Sequence, residues 1–140
     1  MRILGIDYGD ARVGLALSDA LGMTASPLPY LSSKDSGALF SKLNEIIKQN
    51  NVEKIVLGFP KNMNGTVGER GKITQEFADR LTAKCGVPVI LWDERLTTVS
   101  AERVLNEANV RGKKRKASID SLSAVFILEN FLSGNFAKSD

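Results

Sequence analysis

Apolar and polar positions alternate at the start of the chain. Leu4 and Ile6 interleave with Ile3, Gly5 and Asp7, and then Val13, Leu15 and Leu17 interleave with Gly14, Ala16 and Ser18. A period of two belongs to strands, and the intervening "YGDAR" supplies turn residues, so the segment predicts a β-hairpin. A third extended stretch, "SPLPYLS", carries two prolines. Proline cannot donate to a sheet ladder, which places this strand at an edge.

Beyond Ser32 and Ser33 the period changes. Leu39, Phe40, Leu43, Ile46 and Ile47 recur at helical spacing until "KQNN", and the apolar "KIVLGFP" then reads as a buried strand. The loop "PKNMNGTVGERG" is rich in turn formers. After it Ile73, Phe77 and Leu81 step by four until Gly86 and Pro88 stop the helix, and "VPVILWDE" is the fifth strand. Thr97 or Thr98 can cap a further helix carrying Val99, Val104, Leu105 and Ala108. Ser118 can cap a last one carrying Leu122, Val125, Phe126, Phe131 and Leu132. A three-strand meander followed by alternating helices and strands predicts an α/β fold: a mixed five-stranded sheet with helices on both faces.

Composition narrows the chemistry. With 140 residues, 43% hydrophobic and 25% charged, the chain fits one domain spanning 1–140. It contains no histidine, which removes histidine bases, Ser-His-Asp and Cys-His systems and the commonest ligand of catalytic zinc. The single cysteine, Cys85, excludes an internal disulfide framework and suits a small buried hydrophobe better than a nucleophile. The apolar run before Asp7 is too short for a secretory signal, and the longest uncharged stretch, Ala20 to Ser33, is broken by prolines, so a cytoplasmic protein without membrane contact is expected. Net charge is +3, yet Arg111, Lys113, Lys114, Arg115 and Lys116 lie within six residues; without these five, 14 bases face 16 acids. The positive charge is local.

The candidate chemistry lies in the acids. Asp7 ends an apolar strand, with Gly5 two residues back on the same face and open space expected beside the carboxylate. Asp93 and Glu94 end the fifth strand, and Asp120 opens the last helix. Ligands in open α/β sheets gather outside the carboxyl ends of parallel strands, where Asp7 and Glu94 would project. Oxygen-only donors suit hard ions such as Mg²⁺ or Mn²⁺, which can activate water against a phosphodiester. Each acid also fits an ordinary role: an Asx-turn for Asp7, the helix dipole for Asp120, pairing with Arg95 for Glu94. Asp7 is the strongest of the three, because an apolar strand does not normally carry an unpaired buried charge. Of Asp93 and Glu94, alternation lets only one face the site, and the longer Glu94 is favoured. The basic run fits a solvated loop or, beside such an edge, a phosphate-binding arm.

The stretches "GIDYGDARVGLALSD", "GFPKNMNGT", "DERLTT" and "KASIDSLSA" occur in an order and spacing that resembles the YqgF/RuvX-like family of pre-16S rRNA nucleases, also called Holliday-junction resolvase-like proteins. The resemblance covers nearly the whole chain. It implies an RNase H-like fold with strand order 3-2-1-4-5, catalytic and metal-binding roles for Asp7, Glu94 and Asp120, and a bacterial cytoplasmic protein that matures the 5′ end of small-subunit rRNA. The sequence departs from better-characterised RNase H-like resolvases in two places: the fourth strand ends "LGFP" where they carry an acid, and Ser123 stands where they carry a second helical acid. With that order Asp7 and Glu94 lie two strands apart, about 9.6 Å by ordinary sheet spacing. One firmly held ion then fits better than two.

Around these acids, Arg12 and the loop residues Lys61, Asn62 and Asn64 could position phosphates, Gly9 and Gly65 permit close backbone approach, and Arg95 could orient Glu94. Tyr8, Phe59 and Trp92 are the aromatics nearest the proposed edge and read as core or rim, too few for a base-stacking platform. The expected activity is metal-dependent phosphodiester hydrolysis on structured RNA or branched DNA, with precursor rRNA, and ribosomal particles as a further partner. Two other classes compete. An actin-like or sugar-kinase ATPase has a similar first hairpin but needs two lobes, and a non-catalytic ribosome-assembly binder would keep the fold with a weakened site. Either a monomer or a homodimer is compatible with the sequence; cutting both strands of a junction calls for a dimer.

Overall fold

The computed structural model describes residues 2–60, 67–93 and 121–133. Strands β1 (Arg2–Tyr8), β2 (Arg12–Ser18) and β3 (Ala25–Ser32) precede helix α1 (Ser36–Gln49), strand β4 (Val52–Phe59), helix α2 (Glu69–Cys85) and strand β5 (Val89–Asp93). A third described helix, α3, occupies 121–133. The sheet order is β3-β2-β1-β4-β5, antiparallel among the first three strands and parallel from β1 through β4 to β5. This is the expected topology. The segment after Thr97 and Thr98, with Val99, Val104, Leu105 and Ala108, lies outside the described residues, as do Ser118 and the basic run.

Strand alternation divides the interior into two layers. On one face Leu4 and Ile6 of β1, Val13 and Leu15 of β2 and Ile55 and Leu57 of β4 pack on Leu39, Phe40 and Leu43 of α1 and on Phe77, Ala78 and Leu81 of α2. On the other, Ala16 and Val56 pack on Ala124, Val125, Ile127, Leu128, Phe131 and Leu132 of α3. Strands β1 and β4 are therefore covered on both sides, which explains why they read as nearly continuous apolar runs.

Helix α3 lies close against the sheet at Gly5. A Cβ on Gly5 would sit 3.0 Å from Leu128 Cβ and 3.1 Å from the Ala124 carbonyl oxygen. Gly5 is paired with Ala16 on one side and Val56 on the other. The space expected beside Asp7 at Gly5 is thus filled, and the glycine serves helix packing. The helix spans the sheet: the Ser121 hydroxyl donates to the Leu28 carbonyl on β3 at 2.8 Å, and Phe131 meets Trp92 of β5 edge-on at 5.4 Å.

Helix α1 starts after Asp35, whose carboxylate accepts from the Ala38 amide at 3.2 Å. Ser33 is committed elsewhere, its amide to the Ala11 carbonyl at 3.1 Å and its hydroxyl to the Asp10 carbonyl at 2.8 Å. In α2 the buried stripe is Gly71, Thr74, Phe77, Ala78 and Leu81, whereas Ile73 is 39% exposed. Thr74 can take the inner position because its hydroxyl donates to the Arg70 carbonyl at 2.9 Å. Gly86, with φ at 71°, ends α2 in the left-handed conformation that glycine adopts at low cost.

β3 lies at the sheet edge, as its prolines require. Val13 pairs with Leu31 but Leu15 with Leu28, so β3 holds one extra residue opposite Gly14. This bulge lets Leu28 and Leu31, three apart, both pack against the α1–α2 layer. Among the described residues no helix is long and apolar enough to cross a membrane.

Candidate active site

Asp7 is half-buried near the C-terminal end of β1, the central strand. Alternation puts Leu4 and Ile6 on the α1–α2 face, so Asp7 shares the α3 face with Gly5. Its antiparallel partner on β2 is Gly14. On β4, Ile6 pairs with Leu57, and one step further along that register brings Gly58 beside Asp7. The carboxylate therefore stands in a row whose two neighbours, both buried glycines, have no side chains. Glycine inside a strand gives up packing and weakens the strand, and marks places where another group must come close.

The turn beyond Asp7 is tightly made. The Gly9 amide donates to the Arg12 carbonyl at 2.8 Å, and a Cβ on Gly9 would lie 2.6 Å from that same oxygen, so this close approach requires glycine. Arg12 falls on the α3 face by alternation with Val13, and its guanidinium lies 5.0 Å from the ring centroid of Tyr30 on the edge strand. Arg12 thus shares a face and an edge with Asp7.

From the opposite side Arg70, in the first turn of α2, reaches the turn. It donates to the Tyr8 carbonyl, pairs with Asp10 at 2.6 Å and lies 5.5 Å from the Tyr8 ring centroid. The Tyr8 ring stacks on Phe77 at 4.0 Å and 9°. With Phe59 8% exposed and Trp92 against Phe131, all three aromatics expected as core or rim are packing residues.

Asp93 occupies the other face. Its partner Phe59 faces α2, since a Cβ on Gly71 would touch Phe59 Cζ at 3.5 Å. Along β5, Val89 and Leu91 pack on the α1–α2 layer, Ile90 and Trp92 on the α3 layer, and Asp93 follows in the first set.

Of the candidate site residues, Asp7 and Arg12 are described and brought to one edge. Glu94, Asp120, Lys61, Asn62, Asn64, Arg95, Arg111, Lys113, Lys114, Arg115 and Lys116 lie outside the described residues, as does Gly65. Among the described residues no three potential ligands cluster around a metal position. Ser123 is buried, 7% exposed. Sequence reading missed Gly14, Gly58, Tyr30 and Arg70. Only the glycines carried a signal, as breaks in two otherwise apolar strands.

Two other titratable groups are structural. The amides of Thr24 and Met23 donate to Asp19 and hold its carboxyl below the usual range, fixing the β2–β3 turn. Burial pushes the Cys85 thiol up; the side chain is half-buried against the core rather than fully inside it as expected.

A mixed sheet of order 3-2-1-4-5 with helices on both faces, and a carboxylate closing its central strand, defines an RNase H-like fold. Two solved structures share it: RuvC of T. thermophilus in complex with a Holliday junction substrate, at TM-score 0.62 and 14% identity, covering 99% of this chain and 97% of that one, and the fowlpox virus resolvase with Holliday junction DNA, at 0.56 and 13%, covering 96% and 99%. The family model RuvX, described as Holliday junction resolvase, matches residues 1–134, and the chain belongs to this family. Relatives from Bacillus subtilis (strain 168), 50% identical, and Shouchella clausii (strain KSM-K16), 48% identical, each align over 134 residues and bear the name "Putative pre-16S rRNA nuclease". The alignments cover 94% of this chain and 97% and 94% of the relatives.

Proposed function

We propose that this protein is a metal-dependent nuclease that hydrolyses phosphodiester bonds in structured RNA, processing the 5′ end of precursor 16S rRNA in the cytoplasm. The observation that carries this reading is the position of Asp7: a half-buried carboxylate at the carboxyl end of the central strand, between two glycines. The names of its relatives support the RNA substrate.

Asp7, Glu94 and Asp120 are the proposed ligands of Mg²⁺ or Mn²⁺. A hard ion fits the donor set, which is all oxygen in a chain without histidine. The alternation of β5 supports Glu94 over Asp93, because Asp93 falls in the set of Val89 and Leu91, on the face opposite Asp7. Asp120 precedes Ser121, which is bonded to Leu28; Leu28 pairs with Leu15 and Leu15 with Ile6, the residue before Asp7. Gly58 and the buried Ser123 leave three acids, which supports one tightly held cation. When bound, that cation would polarise the scissile phosphate and acidify a water. Asp7 would orient that water by accepting its hydrogen bond, Arg12 would hold a neighbouring phosphate oxygen, and Arg95 would orient Glu94. Lys61, Asn62 and Asn64 would position phosphates beyond β4. Arg111, Lys113, Lys114, Arg115 and Lys116 would bind the more distant backbone.

The test is cleavage of matched precursor-rRNA and four-way-junction DNA substrates with and without Mn²⁺, together with binding across salt. RNA cleavage that requires the metal is expected. If the basic run engages about four phosphates of a duplex, affinity should fall by roughly two orders of magnitude between 50 and 200 mM salt. Preferential cutting of the junction would instead make branched DNA the substrate, and saturable binding without metal-dependent cleavage of either would make the protein a non-catalytic assembly factor.

A further inference from the structure

We propose that Arg70 is a positioning residue for the active site, clamping the β1–β2 turn so that Asp7 and Arg12 keep the separation the reaction needs. The inference rests on the nuclease reading above. Arg70 is the first-turn residue of α2 that reaches across to β1, and its two contacts fall on either side of Gly9: one on the Tyr8 carbonyl, directly after Asp7, the other on the Asp10 carboxylate. Asp7 enters this turn and Arg12 leaves it; the Gly9 amide closes the turn on the Arg12 carbonyl, and Ser33, beyond β3, holds the Ala11 and Asp10 carbonyls. Arg70 adds a two-point contact from α2 and is the one that grips the β1 side of the turn, at the Tyr8 carbonyl.

The platform under Arg70 is rigid. Its guanidinium lies near the Tyr8 ring, that ring stacks on Phe77, and Phe77 stacks on Phe40 at 5.6 Å. The first turn of α2 can lie this close to the strand ends because Gly71 has no side chain: a Cβ there would meet Val67 Cγ1 at 2.5 Å and the Pro60 carbonyl at 3.2 Å. The two halves of the clamp are unequal. Asp10 is 92% exposed, so its ion pair is screened and contributes little, whereas Arg70 is 33% exposed and its bond to the Tyr8 carbonyl is charge-assisted and held over an aromatic ring. The backbone contact carries the function, and the exposed Asp10 pair adds little to it.

The test compares wild type with Arg70→Gln, Arg70→Lys and Asp10→Asn, measuring Mn²⁺ affinity, kcat and KM at saturating metal, the salt slope of substrate binding and amide exchange at Gly9. Loss of the clamp should lower kcat in Arg70→Gln by about a hundredfold, the cost of roughly 1 Å of misplacement. Mn²⁺ affinity should weaken, while KM and the salt slope hold. Exchange at Gly9 should speed up at temperatures where the variant remains folded. Arg70→Lys should recover part of kcat through the Tyr8 carbonyl, and Asp10→Asn should stay near wild type. Unchanged kcat and Mn²⁺ affinity in Arg70→Gln would overturn the proposal. So would a salt slope smaller by about one phosphate, which would make Arg70 a direct substrate contact. A wild type that binds no Mn²⁺ through Asp7 would refute the nuclease reading instead, and Gly9 exchange would then decide whether the clamp exists.

Discussion

Asp7→Asn is expected to abolish metal-dependent cleavage, lowering kcat by on the order of a thousandfold, the upper range for removing one electrostatic contact to a transition state. Asn keeps the shape of the side chain, and Asp7 is half-buried between Gly14 and Gly58, so no packing is lost. What changes is the charge that holds the cation. Substrate binding should survive, because a negative charge facing phosphates is removed and the basic side chains remain. Mn²⁺ titration of wild type and variant, with binding and single-turnover cleavage of one labelled RNA, separates these effects. Full cleavage by the variant would remove Asp7 from the chemistry.

Gly9→Ala should damage both stability and activity. The added Cβ would lie 2.6 Å from the Arg12 carbonyl oxygen, which is backbone and has no rotamer to adopt. Relief requires opening the hairpin, with loss of the Gly9 to Arg12 hydrogen bond, at a cost of about 1–3 kcal/mol. The same opening moves Arg12 relative to Asp7, so kcat should fall even where the variant is fully folded. Chemical denaturation gives the first quantity and single-turnover kinetics the second. A variant as stable and active as wild type would show that the turn has slack that its contacts do not suggest.

Much of the fold is written locally. The period-two hairpin, the proline-marked edge strand and the alternation of helix and strand after Ser33 each depend on neighbouring residues, and all three appear in the sheet. Asp7 was legible for a related reason, since a carboxylate inside an apolar strand stands out against its immediate neighbours. The flanking glycines were not, because their meaning depends on register: Gly14 and Gly58 matter only when they line up with Asp7, and alternation alone does not set that alignment. Gly5 was misread because its partner, α3, is more than a hundred residues away and fills the space from above. Arg70 gave no signal at all. Its contacts lie 60 and 62 positions back, and an arginine in a first helical turn looks like any solvated one. Glu94, Asp120 and the basic run rest on sequence spacing and on the alternation and anchoring of the described strands and helix beside them.

The measurement that addresses the central claim most directly is a crystal structure with Mn²⁺, located by its anomalous scattering. The account predicts one strong site near the carboxyl end of β1, with carboxylate oxygens of Asp7, Glu94 and Asp120 around it and the nearest at about 2.1 Å, the reach of a hard octahedral ion. A cation bound elsewhere, or the three carboxylates directed to separate places with no common position between them, would contradict it.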